Sequence, residues 1–307
     1  MGLLSSVKNS VLGEDRLRVE YTTDSDVPQF LHFLGIRRMP IAQLDSNLNR
    51  VLFSSPESYE RYKHVGKLTR ELLDDPDGLG IPLMRMEDVE EAYFSGKSEL
   101  VRNVYLFYRC AIDDTPPFEH FRQVLHNEKI ALYKCLYCRV FRTNTSAGTN
   151  YTLHFMQTGD EIPMYHRFRH RDMDTRIEGA TFRWHVKYAP LIENDHYKLA
   201  LLNPDVPSLL DHEPTGARSP EMHPDAKYRL MCAHYFSDDA DFLPRNVLKV
   251  ADLTVGETEQ VPSPGITKVP ELTMVFACQA LLINALELDK ATGAVPISAP
   301  FNTPFLV

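Results

Sequence analysis

A segment that is apolar around its whole circumference leaves few folds open to a chain, and residues 271–288, ELTMVFACQALLINALEL, form such a segment. Wound at 3.6 residues per turn, Leu272, Met274, Val275, Phe276, Leu281, Leu282, Ile283 and Leu286 cover most of a helix surface. Thr273, Ala277, Ala280, Asn284 and Glu287 fall on one narrow stripe that is small or polar. An element of this kind either crosses a membrane or lies at the centre of a folded domain. Gln279 and Asn284 in mid-segment, Glu271 and Glu287 toward the ends, and flanking prolines favour a central core helix. Two fully buried strands are the rival reading, because periodicity does not separate the two in an apolar run. Length and the residues Ala277, Gln279, Ala280, Leu281, Leu282 and Ala285 favour the helix.

The remaining composition narrows the class. The 307 residues hold one large domain or two modest ones. A formal net charge of -9 argues against a surface built for duplex nucleic acid, while leaving room for a local basic patch. The 21 prolines against 14 glycines point to firm turns and a β-rich body. Five cysteines, an odd number, with Cys110, Cys232 and Cys278 standing alone, suit a reducing compartment. No apolar run near the amino end is long enough for a secretory signal, so a cytoplasmic protein is expected. The opening residues do match the myristoylation pattern, with Gly2 as the acceptor and Ser6 at the required spacing. One such chain binds a membrane only marginally, so a second contact would be needed.

Along the chain, residues 1–15 read as a flexible terminus and residues 16–128 as a helix-rich part. Residues 16–23 alternate as a short strand, and 24–34 read as a short helix closed by Gly35. The best conventional helix is 56–75, with Ser55 as cap, Pro56 in the first turn, and Tyr59, Tyr62, Val65, Leu68 and Leu72 on one face. Helices are also expected over 86–94 and 117–127. From residue 129 the pattern changes to strands: 129–143, 150–158, 162–171, 180–188, 196–202, 228–235 and 246–255. Residues 129–290 are therefore a β-rich body that includes the core helix. The connection 203–225 is dense in Pro, Asp, Glu and Ser, and is long enough to be mobile or functional. Residues 291–307 read as an extended tail.

The densest polar stretch is YHRFRHRDMDTR, residues 165–176, followed by Arg183, Trp184, His185 and Lys187. On a strand, Arg167, Arg169 and Arg171 point one way while His166, Phe168 and His170 point the other. Three guanidinium groups at strand spacing take phosphate oxygens bidentately, and Arg176 and Arg183 extend the row if their strands pair as a hairpin. The competing reading is a solvated face whose arginines pair with Asp172, Asp174 and Glu178. His166, His170, Asp172 and His185 are the candidates for an acid–base or metal site. His166 and His170 on one strand stand about 13 Å apart, too far for one ion, and no cofactor or metal motif is present. Cys135 and Cys138 lack the second pair that a zinc site needs and read as structural.

A helix-rich start, successive strands and one apolar helix near the carboxyl end are similar to the tubby-like superfamily, which includes the LURP-one and phospholipid scramblase proteins. That resemblance covers roughly residues 100–290. It implies an α+β fold in which an antiparallel β-barrel or strongly curled sheet surrounds the C-terminal helix. It also implies anionic lipid binding through basic barrel residues, for which Arg167, Arg169 and Arg171 are the candidates. The expectation is a peripheral, non-transmembrane protein or adaptor contacting an anionic lipid or a phosphorylated partner. The alternatives are an enzyme with its site near residues 166–185, or a non-catalytic scaffold subunit.

Overall fold

The computed structural model describes residues 27–44, 49–95, 98–168, 172–186, 196–211, 228–237 and 247–291. Its centre is the helix α3 (Glu271–Ala291), in which every residue from Thr273 to Ala285 is buried. The helix is long and apolar enough to cross a membrane, but protein rather than lipid surrounds it.

The wall is antiparallel throughout. The strands are β1 (Gly35–Leu44), β2 (Arg50–Leu52), β3 (Met84–Ser95), β4 (Ser98–Ala111), β5 (Phe121–His126), β6 (Ile130–Asn144) and β7 (Gly148–Phe155). They continue with β8 (Glu161–Arg167), β9 (Met173–Ile177), β10 (Ala180–Val186), β11 (His196–Leu202), β12 (Tyr228–Ser237) and β13 (Val247–Glu257). β1 pairs with β13 and β4 pairs with β6, so twelve strands close into a barrel and β5 extends the lower half of β6 outside the ring. A ring of this size leaves a lumen wider than its own side chains fill. A helix about 10–12 Å across with its side chains fits that space. The expected barrel around a C-terminal hydrophobic helix is therefore the observed architecture.

The expected helix-rich N-terminal third is not. Of the span 24–34, the described residues 27–34 contribute a 3-10 turn at Gln29–Leu31. The expected helix over 56–75 is split into α1 (Pro56–Val65) and α2 (Arg70–Leu73). Ser55 caps α1 through Ser58 N, and Gly66 ends it with φ of 75°. Residues 86–94 belong to β3, and residues 117–127 contain β5. Both strands carry register shifts, between Asp88 and Tyr93 and between Gln123 and Leu125. The first inserts three extra residues into β3 and the second one into β5, and either interrupts the period of two that marks a strand. The expected strand at 16–23 and the tail lie outside the described residues, apart from Ala291, which ends α3.

The polar stripe on α3 is where helix and wall lock together. Thr273 donates to Glu257 Oε1 (3.0 Å), which also accepts from Arg37 Nε (2.6 Å). Asn284 Nδ2 donates to Tyr235 Oη (2.8 Å), Asn284 Oδ1 accepts from Arg50 Nε (2.8 Å), and Tyr235 donates to Glu287. On another side Gln279 accepts from Trp184 Nε1 and donates to Thr175 Oγ1, both at 2.9 Å. Trp184, Thr175 and Gln279 are fully buried. Replacing Gln279 with Leu strands two buried polar groups, at a cost of about 1–3 kcal/mol. Thermal unfolding followed through Trp184, the sole tryptophan, should show that loss as a lowered Tm. An unchanged midpoint would rule out the network as a stabilising contact.

Candidate functional site

The outer face of β8, β9 and β10 carries most of the sequence-selected residues. Met164, Met173, Phe182 and Trp184 point into the lumen and are buried. Alternation therefore places Arg167, Asp172, Asp174, Arg176, Arg183 and His185 on the outer side. Arg176 stands opposite Thr181 and Arg183 opposite Asp174, so the two strands do pair as a hairpin. His166 alternates with Met164 and lies on the lumen side opposite Met173, away from His185. Arg169, His170 and Arg171, like Gly2, lie outside the described residues.

Carboxylates occupy two members of the arginine row. Arg183 holds Asp174 through Nε (2.6 Å) and Nη2 (2.9 Å). Asp174 is fully buried and also accepts from Ser208 Oγ (3.2 Å) and Leu209 N (2.7 Å). The start of the long connection after β11 thus folds over this wall. Arg176 meets Asp211 of the same segment at 2.8 Å. Burial acts to lower the Arg183 pKa, but the Asp174 hydrogen bonds and charge outweigh it and hold it above its ordinary value. Both cations are neutralised locally, whereas Arg167, at the end of β8, makes no ion pair with another described residue.

Beside this pair, His185 Nδ1 lies 2.9 Å from Asp172 Oδ1, which also accepts from Val186 N. The Tyr228 ring lies 5.7 Å from the imidazole, and its hydroxyl pKa is pushed up to about 12 by burial and by Asp172. An aspartate on Nδ1 fixes the tautomer in which Nε2 faces outward, the geometry of an oriented base. The structure thus unites two of the four acid–base candidates, His185 and Asp172. Among the described residues no group of three potential ligands stands close enough to hold a metal ion.

Three features were missed in the sequence. Phe168, expected to alternate on a strand, follows the end of β8 with 49% of its surface exposed, and its N–H is tied to Ala147 O at 2.9 Å. At the barrel mouth, around the end of α3, Arg102 meets Asp88 (2.7 Å) and Asp289 (2.9 Å), and Arg142 meets Glu99. A surface cleft of about 490 Å³ between α2 and the β5–β6 hairpin is lined by Arg70, Asp74, His126, Asn127, Glu128 and Lys129. The mouth charges had a signal, namely charged residues at lumen-facing parity near strand ends. Cleft and exposed aromatic depend on packing and had none. Burial pushes the Cys135 thiol up to about 12 and raises Cys138 and Cys232, which disfavours the thiolate at these three positions.

Burial acts to raise the Asp172 pKa, but the His185 hydrogen bond and charge and the Val186 N–H prevail and hold it below its usual value. A depressed folded-state pKa stabilises the fold above the unfolded value of about 3.9 and loses that contribution as pH falls through the folded one. Asp172→Asn should therefore flatten the acid limb of a stability–pH profile measured by urea unfolding. A variant that loses stability equally at pH 3 and pH 7 would refute this assignment.

The comparisons with known proteins agree on one relationship. A family model described as DIA1 matches residues 35–292, which run from the first residue of β1 to one residue past α3. Protein DIA1 of Saccharomyces cerevisiae is 32% identical over 305 residues, covering 94% of this chain and 89% of its own. The uncharacterized protein YOR385W of the same yeast is 29% identical over 281 residues, covering 89% and 93%. No solved structure matches the chain. With a matched span that coincides with the barrel and its helix, the chain belongs to the DIA1 family.

Proposed function

We propose that this protein is a peripheral, non-enzymatic binding module that touches an anionic membrane surface through the turn after β8. The observation that carries this reading is the exposed Phe168 held beside Arg167 at the edge of the barrel. Sequence adds Arg169 and Arg171 directly after it. An aromatic ring among arginines suits a headgroup region, where the ring enters the acyl boundary and the guanidinium groups meet phosphate. The barrel-around-helix architecture is also the one that the tubby-like resemblance implies.

Magnitudes explain why more than one contact is needed. Three arginines contribute about 3 kcal/mol at an anionic surface. Burying Phe168 adds about 2 kcal/mol. The net charge of -9 opposes both through long-range repulsion. A myristoyl chain on Gly2 would add a binding constant of about 10⁴ M⁻¹. Together these give reversible attachment from the cytoplasmic side.

Sedimentation with phosphatidylcholine vesicles, with and without phosphatidylserine, tests the reading. Binding should require the anionic lipid and weaken with salt. It should fall roughly tenfold or more in Phe168→Ser, and likewise in the Arg167/Arg169/Arg171→Ala variant. Equal binding to neutral vesicles, or no change in either variant, would remove the proposal. Retention on a phosphopeptide without vesicle binding would reassign the row to a phosphorylated protein partner. Imaging Gly2→Ala tests the acyl contribution separately.

The Asp172–His185 contact favours one alternative, an enzyme using His185 as a base oriented by Asp172. His185→Gln separates the two readings, because vesicle binding should survive it while any turnover would not.

A further inference from the structure

On the stretch of wall that directly continues β10, β11 and β12 bring two imidazoles together. Tyr197 and Tyr235 face the lumen, are buried, and pack edge to face at 5.8 Å between ring centroids. Their neighbours His196 and His234 therefore point outward. The ladder sets His196 opposite Phe236 and His234 opposite Lys198, so the histidines are diagonal neighbours on one face. Their rings lie 5.6 Å apart, tilted by 31°, with His196 Nε2 3.4 Å from His234 Nδ1. Phe236 packs edge-on against His196 at 5.8 Å, and His234 is only 4% exposed.

That separation is informative. An N–H···O hydrogen bond normally spans about 2.7–3.2 Å between heavy atoms, and an N–H···N bond between imidazoles is somewhat longer. Two nitrogens bound to one tetrahedral zinc ion, each at about 2.0–2.1 Å, stand about 3.3–3.4 Å apart. The observed value is long for a hydrogen bond and falls on the edge of a metal tetrahedron. Strand backbone and packed aromatic rings hold both imidazoles, so little ordering is left for an ion to impose.

We propose that His196 and His234 form a two-imidazole chelate for a divalent cation of the zinc class on the outer face of β11 and β12. Paired neutral imidazoles favour zinc, nickel or copper over magnesium or calcium, which take oxygen ligands. Water fills the remaining coordination positions. The adjoining sequence is acidic on both sides, with Glu193 and Asp195 before His196, and Asp238, Asp239 and Asp241 soon after Phe236. Lys198, across the ladder from His234, works against a dication and keeps the affinity moderate. The site is independent of the membrane contact proposed at Phe168.

The test uses the full chain, stripped with a chelator and titrated with zinc, nickel and magnesium by calorimetry and thermal unfolding. Zinc should bind with one equivalent and raise Tm, nickel should follow, and magnesium should do neither. His196→Ala and His234→Ala should each abolish the shift, while His154→Ala should keep it. His196 is the less buried of the two, so its variant carries the test if His234→Ala fails to fold. No zinc-dependent rise in the native chain would overturn the proposal and leave the pair as a stretched imidazole hydrogen bond. A rise that survives His196→Ala, or that magnesium reproduces, would overturn it as well.

Discussion

The structure depends on satisfying polar groups inside a lumen that the central helix fills. Twelve strands cannot fill their own interior, so a helix must, and a wholly apolar helix would have no fixed register within the ring. Gln279, Asn284, Thr273 and Glu287 supply that register. Each has a named partner on the wall, from Trp184 and Thr175 on one side to Tyr235, Arg50 and Glu257 on the other. An unpaired buried amide is costly, so any rotation or slip of the helix breaks several bonds together. Apolar packing fills the barrel, and this polar set fixes how it is filled.

The same accounting governs the outer wall. Asp174 is buried under the segment that follows β11, and is tolerable there because Arg183, Ser208 and Leu209 all donate to it. That pairing occupies Nε and Nη2 of Arg183. Arg176 is drawn into the same covering segment by Asp211. The membrane contact proposed above therefore uses the end of β8, where Arg167 and the exposed ring of Phe168 lie. Wall positions that read alike in the sequence are divided by what lies over them.

Most strands of the C-terminal two-thirds were legible despite bulges in β6, β12 and β13, because β-branched and aromatic residues mark them between turn signals. Residues 196–202 match β11 in full, and the strand expected at 129–143 is displaced by one residue from β6. The N-terminal third misled for a local reason. β3 and β5 carry bulges, and the short β2 offers only three residues, Arg50, Val51 and Leu52, all buried. Met86 and its neighbours also have good helix propensity, which pairing with β4 overrides. Of the candidate site, the pairing of His185 with Asp172 lay within the stretch singled out by composition. The exposure of Phe168 and the approach of His196 to His234 did not, because the first depends on where β8 ends and the second joins residues 38 positions apart.

What the sequence alone determined is the identity of the central element. A segment with apolar residues around its circumference and a few amides inside it has no stable place except a protein interior with polar partners. Its composition also excluded a basic nucleic-acid surface and a four-cysteine metal site. Only the tertiary structure decided the closure of the ring through β1 with β13 and β4 with β6, the pairing of Arg183 with buried Asp174, and the two histidine contacts. These are all pairings between distant strands. Strand registry is a collective property of the closed ring, set by bulges and by what the lumen must hold, and no local pattern encodes it.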